Sequence, residues 1–218
     1  MSQLPLKLVL PEVYSADNFF ISSCNEEAYK AVMEEKNWEN NAQKHALYLY
    51  GEKGSGKSHL ARIWQEKTGA EVISAHNIKP ASIRGNCIVE DVEKCTDEVA
   101  LLHLFNHCKD IDVKLLITSA LPATSLPFAL PDLTSRLRGL QIASINPPDD
   151  ALIAGVMRKQ FADRQLLVDD EVITYLVTHT ERTLESVKLL VEKLDRNALS
   201  EKRRITVPFV RKILSIHN

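Results

Sequence analysis

Five short apolar runs punctuate the first two thirds of the chain, at 46–50 (ALYLY), 71–75 (EVISA), 86–90 (NCIVE), 113–119 (VKLLITS) and 140–145 (LQIASI). Each has the length of a strand and is bounded by polar or turn-forming residues. Between them, at 24–36, 57–68 and 97–109, apolar residues recur at helical spacing. Short buried strands alternating with helices predict a parallel sheet covered by helices on both faces. Pro147-Pro148 ends the alternation, and beyond it the pattern is wholly helical, near 149–164, 169–179, 181–200 and 207–216. The expected organisation is an N-terminal tail over 1–12, an α/β domain over 13–146 and a small helical domain over 147–218.

The first strand runs straight into Gly51-Glu52-Lys53-Gly54-Ser55-Gly56-Lys57-Ser58, a complete G-x-x-x-x-G-K-[ST] phosphate loop, and a helix follows from Lys57. The glycines let successive backbone N–H groups turn inward toward phosphate oxygens, and the positive end of the helix dipole adds to the pull on the anion. Lys57 is placed to reach the outer phosphates. Ser58 offers a hydroxyl to Mg2+, a hard cation whose sites are completed by nucleotide phosphates. The stretch Gly51 to His59 is therefore the candidate cofactor site, for ADP or ATP with Mg2+.

Such a loop needs acids at the end of a neighbouring strand, to hold the metal and orient an attacking water. Cys87-Ile88-Val89-Glu90-Asp91 supplies two. Glu90 is the candidate on the metal side and Asp91 on the water side, with the reverse assignment also open. The next strand ends in Thr118-Ser119, hydroxyls suited to sensing a γ-phosphate or to capping a strand end. Two arginines, Arg136 and Arg138, follow in LPDLTSRLR, where an arginine can be offered in trans to the transition state of a neighbour or form a surface ion pair. Arg182 opens a helix whose Leu184, Val187, Leu190, Val191 and Leu194 share one face. It is placed to reach back to phosphates or to pair with Glu181 or Glu185.

Composition narrows the classes. With 218 residues the chain can bury a substantial core. A net charge of −2 and a pI near 6.4 give no global attraction for nucleic acid, so contact with it would rest on a local patch such as Lys202-Arg203-Arg204, otherwise a solvated turn. Cys24, Cys87, Cys95 and Cys108 form no C-x-x-C pair, which predicts reduced thiols and a cytoplasmic location. No stretch has the apolar length of a membrane span or of a signal peptide's core. His103 and His107 stand four apart, but Leu104 occupies the place where the zinc-protease pattern needs Glu, so they are expected to decorate a helix face. Gln3, Leu4 and Leu6 in QLPLKL form a short segment suited to docking in an apolar groove, or a frayed strand.

Taken in order, the phosphate loop, the Glu90-Asp91 strand end, LPDLTSRL and ERTLESVKLLVEKLDRNAL resemble the Hda-like regulators in the DnaA-related branch of AAA+ P-loop proteins. The resemblance runs from about Asp17-Asn18-Phe19 to the C-terminus. It implies a five-stranded AAA+ domain followed by an α-helical lid, with the adenine pocket near residues 17–25 and the lid. It also implies that Arg136 is a trans-acting arginine finger, that Arg182 is the lid arginine on the phosphates, and that Ser119 or Thr118 is the strand-end sensor. By the same resemblance, Gln3, Leu4 and Leu6 belong to a motif that binds the DNA polymerase sliding clamp. The expected activity is then regulatory inactivation: linking the clamp to the DnaA initiator and stimulating ATP hydrolysis on DnaA, with DNA reached indirectly through the clamp. Ending at Asn218, where DnaA continues into a helix-turn-helix domain, favours the regulator over the initiator. Glu90-Asp91 departs from the usual Asp-first order, so intrinsic ATPase activity is expected to be weak at most. Pro5 and Lys7 depart from the usual clamp motif. The alternative is an autonomous AAA+ ATPase or helicase loader working as a homo-oligomer.

Overall fold

The computed structural model describes residues 19–34, 38 and 44–215. Five parallel strands form one sheet: β1 (Ala46–Gly51), β2 (Glu71–Ser74), β3 (Cys87–Glu90), β4 (Leu115–Ser119) and β5 (Gln141–Ile145), in the spatial order β2-β3-β4-β1-β5. All five predicted strands are present, trimmed by one or two residues at some ends. Their β-branched and leucine-rich runs are what a sheet covered on both faces requires.

Side chains of successive strand residues point to opposite faces, and the two faces fill two cores. Ala46, Tyr48, Cys87, Val89, Leu115 and Ile117 face α3 (Glu98–Asp110) and α4 (Pro131–Arg138), meeting Leu101, Leu104, Phe105, Leu133 and Leu137. Leu47, Leu49, Ile88 and Leu116 face α1 (Glu26–Met33) and α2 (Lys57–Thr68), meeting Val32, Leu60 and Trp64. Trp38 stacks on Trp64 at 5.5 Å between ring centroids and donates its indole N–H to the Ala31 carbonyl at 2.7 Å.

After β5 come α5 (Asp150–Asp163), α6 (Asp170–His179), α7 (Leu184–Glu201) and α8 (Val207–Ser215). Their inward stripes make a third core around Met157, Phe161, Leu176, Val191, Leu194 and Val210. The apolar face read from Leu184, Val187, Leu190, Val191 and Leu194 points into this core, although α7 starts at Leu184 rather than near 181. No helix among the described residues is long and apolar enough to cross a membrane.

The helical unit is joined to the sheet by fixed contacts. Asp149 caps α5 by accepting from Leu152 N at 2.7 Å, and its other oxygen accepts from Ser23 Oγ at 3.0 Å. Asn146 N donates to the Cys24 carbonyl at 3.0 Å. The bond from Leu152 N holds the Asp149 carboxyl below the usual carboxylate range, aided by Ser23. A depressed folded-state pKa stabilises the protein above the unfolded value of 3.8, and that contribution is lost as pH falls. Asp149→Ala should therefore cost about 1 kcal/mol at neutral pH. In denaturant titrations the gap to wild type should close in strong acid, and a gap independent of pH would refute the capping role.

Candidate nucleotide site

Strand register brings the predicted motifs together. Ser119 lies opposite Tyr50 and Thr118 opposite Leu49, while β3 flanks β4 on its other side with Val89 opposite Ile117. The carboxyl ends of β1, β4 and β3 thus stand side by side, one strand spacing apart, roughly 4.8 Å each. Crevices at such strand ends are where open α/β sheets hold their ligands.

The phosphate loop closes tightly over β5. A Cβ on Gly51 would lie 2.6 Å from the Ile145 carbonyl oxygen and 2.8 Å from Ser55 Oγ, so no larger residue fits without parting β1 from β5. Gly56, the residue before α2, has φ +102°, in the left-handed region that favours glycine. Lys57 is buried at 7% exposure, and its Nζ donates to the carbonyls of Gly51 at 2.7 Å and Glu52 at 2.9 Å. Burial pushes its ammonium below the usual lysine range, while Asp91 and Glu93 pull it back. Ser58, on the first turn of α2, is exposed.

The acids divide differently from the simple pair read in the sequence. Glu90 ends β3 with Oε1 buried and without a hydrogen-bond partner. Asp91 turns into the left-handed region at φ 52°, gives its N–H to Thr118 Oγ1 at 3.1 Å, and pairs its carboxylate with Lys94 at 2.6 Å. That turn brings in a third acid, Glu93, on the short 3-10 turn after β3. Glu93 Oε1 accepts from Ala120 N at 3.1 Å, just past β4, and its Oε2 is buried without a partner. Its charge acts on both Lys57 and Tyr48.

Thr118 and Ser119 are buried, at 1% and 0% exposure. Ser119 Oγ accepts from Leu121 N at 3.0 Å, and the Tyr48 hydroxyl donates to the Leu121 carbonyl at 2.7 Å. Burial pushes the Tyr48 phenol up to about 12. The orphaned oxygens of Ser55, Glu90 and Glu93 and the tight glycine cradle fit a Mg2+ nucleotide, with Ser58 and Glu90 as the residues to hold the metal. Beside the loop, Phe19 stacks on Tyr29 at 5.7 Å, meets His59 edge-on at 5.2 Å and lies about 4.0 Å from where a Gly56 Cβ would be.

The first turn of α7 rests on the loop itself. Leu184 N donates to the Gly54 carbonyl at 3.2 Å, and Lys53 pairs with Glu185 at 3.4 Å. Thr183 caps α7 by accepting from Ser186 N at 3.0 Å, and its Cβ would touch a Cβ on Gly54 at 3.3 Å.

Residues 150–214 match the family model of the Hda lid domain. Domain III of the Thermotoga maritima replication initiation protein DnaA superposes with a TM-score of 0.77 over 93% of this chain and 95% of that one, at 20% identity. AMPPCP-bound DnaA from Aquifex aeolicus gives 0.69 over 89% of this chain and 68% of that one, at 21% identity. The C-terminal helices are thus similar to an Hda lid domain, and the chain shares the fold of DnaA domain III. The Thermotoga maritima RuvB Holliday junction branch migration motor shares the fold at a TM-score of 0.70, 16% identity, over 89% of this chain and 70% of that one. In sequence, a Haemophilus influenzae (strain ATCC 51907 / DSM 11121 / KW20 / Rd) protein described as uncharacterized is 29% identical over 188 residues, 78% of this chain and 81% of that relative.

The two candidate arginines lie in different places. Arg182 pairs with neither Glu181 nor Glu185; it reaches across to Asp150 at the start of α5, at 3.0 Å, with both side chains largely exposed. It stands two residues before Leu184 and therefore beside the loop. Arg136 lies on the last turn of α4, which is positioned by Glu98 accepting from Ala129 N at 3.0 Å and Leu130 N at 2.7 Å. Its charge reaches His45, just before β1, whose imidazole is held down first by burial and Lys109, then also by Lys114 and Arg136. His45 and the phosphate loop lie at opposite ends of β1, roughly 20 Å apart. His107 bonds the Ile83 carbonyl at 3.0 Å, and among the described residues no group of three or more His, Cys, Asp or Glu is placed to hold a metal. The four cysteines are buried free thiols. Gln3, Leu4 and Leu6 lie outside the described residues.

Gly51→Ala should cost about 1–3 kcal/mol of stability by forcing β1 and β5 apart. Chemical denaturation checks it, and a variant as stable as wild type would mean that the loop yields more freely than its contacts indicate.

Proposed function

We propose that this chain is a nucleotide-binding regulator of chromosomal replication initiation, one that links the sliding clamp to DnaA and stimulates ATP hydrolysis on DnaA. The observation that carries the reading is the placement of Arg136 at the opposite end of the sheet from the chain's own phosphate loop. An arginine there has no role at its own nucleotide and is free to serve a neighbour's. The Hda-type lid and the DnaA-type fold support DnaA as that neighbour, and the relatives solved with AMPPCP support nucleotide binding.

In this reading ADP or ATP sits on Gly51 to His59, with Lys57 beside the outer phosphates. Arg182, released from Asp150, reaches the phosphates from the lid. Ser58 and Glu90 hold Mg2+, which when bound would neutralise phosphate charge. Thr118 and Ser119 tie the end of β4 to the neighbouring turns, so the γ-phosphate edge is set by buried hydrogen bonds. Glu93, like Asp91, acts on Lys57 and keeps a buried oxygen without a partner, whereas one oxygen of Asp91 is paired with Lys94. Gln3, Leu4 and Leu6 provide the clamp contact.

The deciding assay is ATP hydrolysis by DnaA on DNA-loaded clamp, with and without this protein, beside a reaction lacking DnaA. Stimulation only with all partners present supports the regulator. Hydrolysis by the protein alone that rises with its own concentration would instead support the autonomous ATPase, for which the RuvB-like fold is the favouring observation.

Arg136→Ala should fold and bind nucleotide with wild-type affinity yet lose most of the stimulation, a step that an arginine finger enhances by about 10^3–10^5 in other P-loop systems. Full stimulation by the variant would overturn the assignment. Glu93→Gln should leave nucleotide affinity in EDTA unchanged while reducing the gain in affinity that Mg2+ brings, measured by calorimetry. An unchanged Mg2+ gain would exclude Glu93 and leave the metal to Ser58 and Glu90 alone.

A further inference from the structure

A second concave feature lies at the far end of the lid from the nucleotide site. The turn after α5 and the junction of α7 with α8 flank an open groove of about 420 Å3. Leu166, Ala198 and Ile205 line its apolar side. Leu167 and Leu199 stand at its rim, 95% and 62% exposed, a large apolar display for neighbouring side chains. Along α7 the groove is roughly 20 Å from the first turn that touches the phosphate loop.

The charge of the groove has one sign. Its lining includes Lys202, Arg203 and Arg204 and no acid. Arg203 lies 4.0 Å from Glu201, which Lys212 already engages at 2.8 Å, while Lys202 and Arg204 make no ion pair among the described residues. This local excess sits on a chain whose net charge is −2.

The backbone adds an independent observation. Gln165 and Lys202 adopt left-handed conformations, with φ 57° and 53°, and both face this groove. Lys202 is the residue that ends α7, a position where glycine is conformationally cheapest. Side chains are thus kept, on the same groove, at two points where the backbone favours their absence.

We propose that this groove is a docking site for an acidic segment of a partner protein that inserts aliphatic side chains between Leu167 and Leu199 and sets carboxylates against Lys202 and Arg204. Charge complementarity selects the acidic partner, and the exposed leucines select a protein over a nucleic acid, whose backbone offers phosphates but no aliphatic anchor.

The test uses the full chain and three fluorescein-labelled probes: a helical peptide repeating Glu-Leu-Leu-Glu, the same design with Lys in place of Glu, and an oligothymidylate. The acidic peptide should bind saturably by fluorescence anisotropy and weaken with salt. Lys202→Glu with Arg204→Glu, and separately Leu167→Ser with Leu199→Ser, should each lower its affinity by about tenfold or more while nucleotide binding stays unchanged. Lys202→Gly should melt at or above the wild-type temperature and still bind the peptide less well, separating a binding role from a structural one. The proposal fails if the acidic peptide does not bind, if the basic peptide binds equally, if oligothymidylate is preferred, or if the charge-reversed variant keeps full affinity.

Discussion

The phosphate loop is placed by β1, which is paired on both edges and covered on both faces. Ala46, Leu47, Tyr48 and Leu49 are all fully buried, alternate residues feeding different cores. A slip of one residue against β4 or β5 would exchange the two sets of side chains and pull the Tyr48 hydroxyl from the Leu121 carbonyl. The strand therefore has one register. That register fixes where Gly51 emerges beside Ile145 and Ser119, and so fixes the position at which the loop must turn.

The lid inherits its position from the same point. Its closest tie to the loop is a backbone hydrogen bond, Leu184 N to the Gly54 carbonyl, at the first residue of α7. The accompanying Lys53–Glu185 pair is exposed, and such pairs are worth only about 0–1 kcal/mol. The tie is therefore mainly geometric. A change in the orientation of the Gly54 peptide shifts the acceptor for α7, and α7 carries Val187, Val191 and Leu194 in the lid core. Loop conformation and lid angle are thus one coupled variable, reached through a residue with φ +78° that only glycine adopts without strain.

The strands and the phosphate loop were legible in the sequence because their signals are local: apolar runs of strand length, glycine spacing, a proline pair at 147–148. Glu90 and Asp91 were visible as a pair for the same reason. What the sequence did not yield depends on turns and on distant partners. The left-handed turn at Asp91 swings Glu93 to the end of β4, and nothing in the linear pattern specifies that torsion. Arg182 pairs with Asp150, thirty-two positions earlier, whereas helical spacing suggested only Glu181 or Glu185. The turn Lys202-Arg203-Arg204 looked like a solvated loop until the α5–α6 connection supplied the other wall of its groove.

Arg136 shows how far an argument from topology reaches. Parallel strands all point one way, so each helix returning between them ends at the opposite edge from the loops that hold ligands. An arginine on the last turn of α4 is consequently held near His45 and away from Lys57 by connectivity alone, whatever its rotamer. With the phosphate loop and Arg136 on opposite ends, the proposed contact between them is a head-to-tail meeting of two molecules. Such a contact is heterologous, so it serves a ring or filament of copies or a single mismatched pair equally well. In the proposed role, the choice between these lies in the surface of the molecule that receives Arg136.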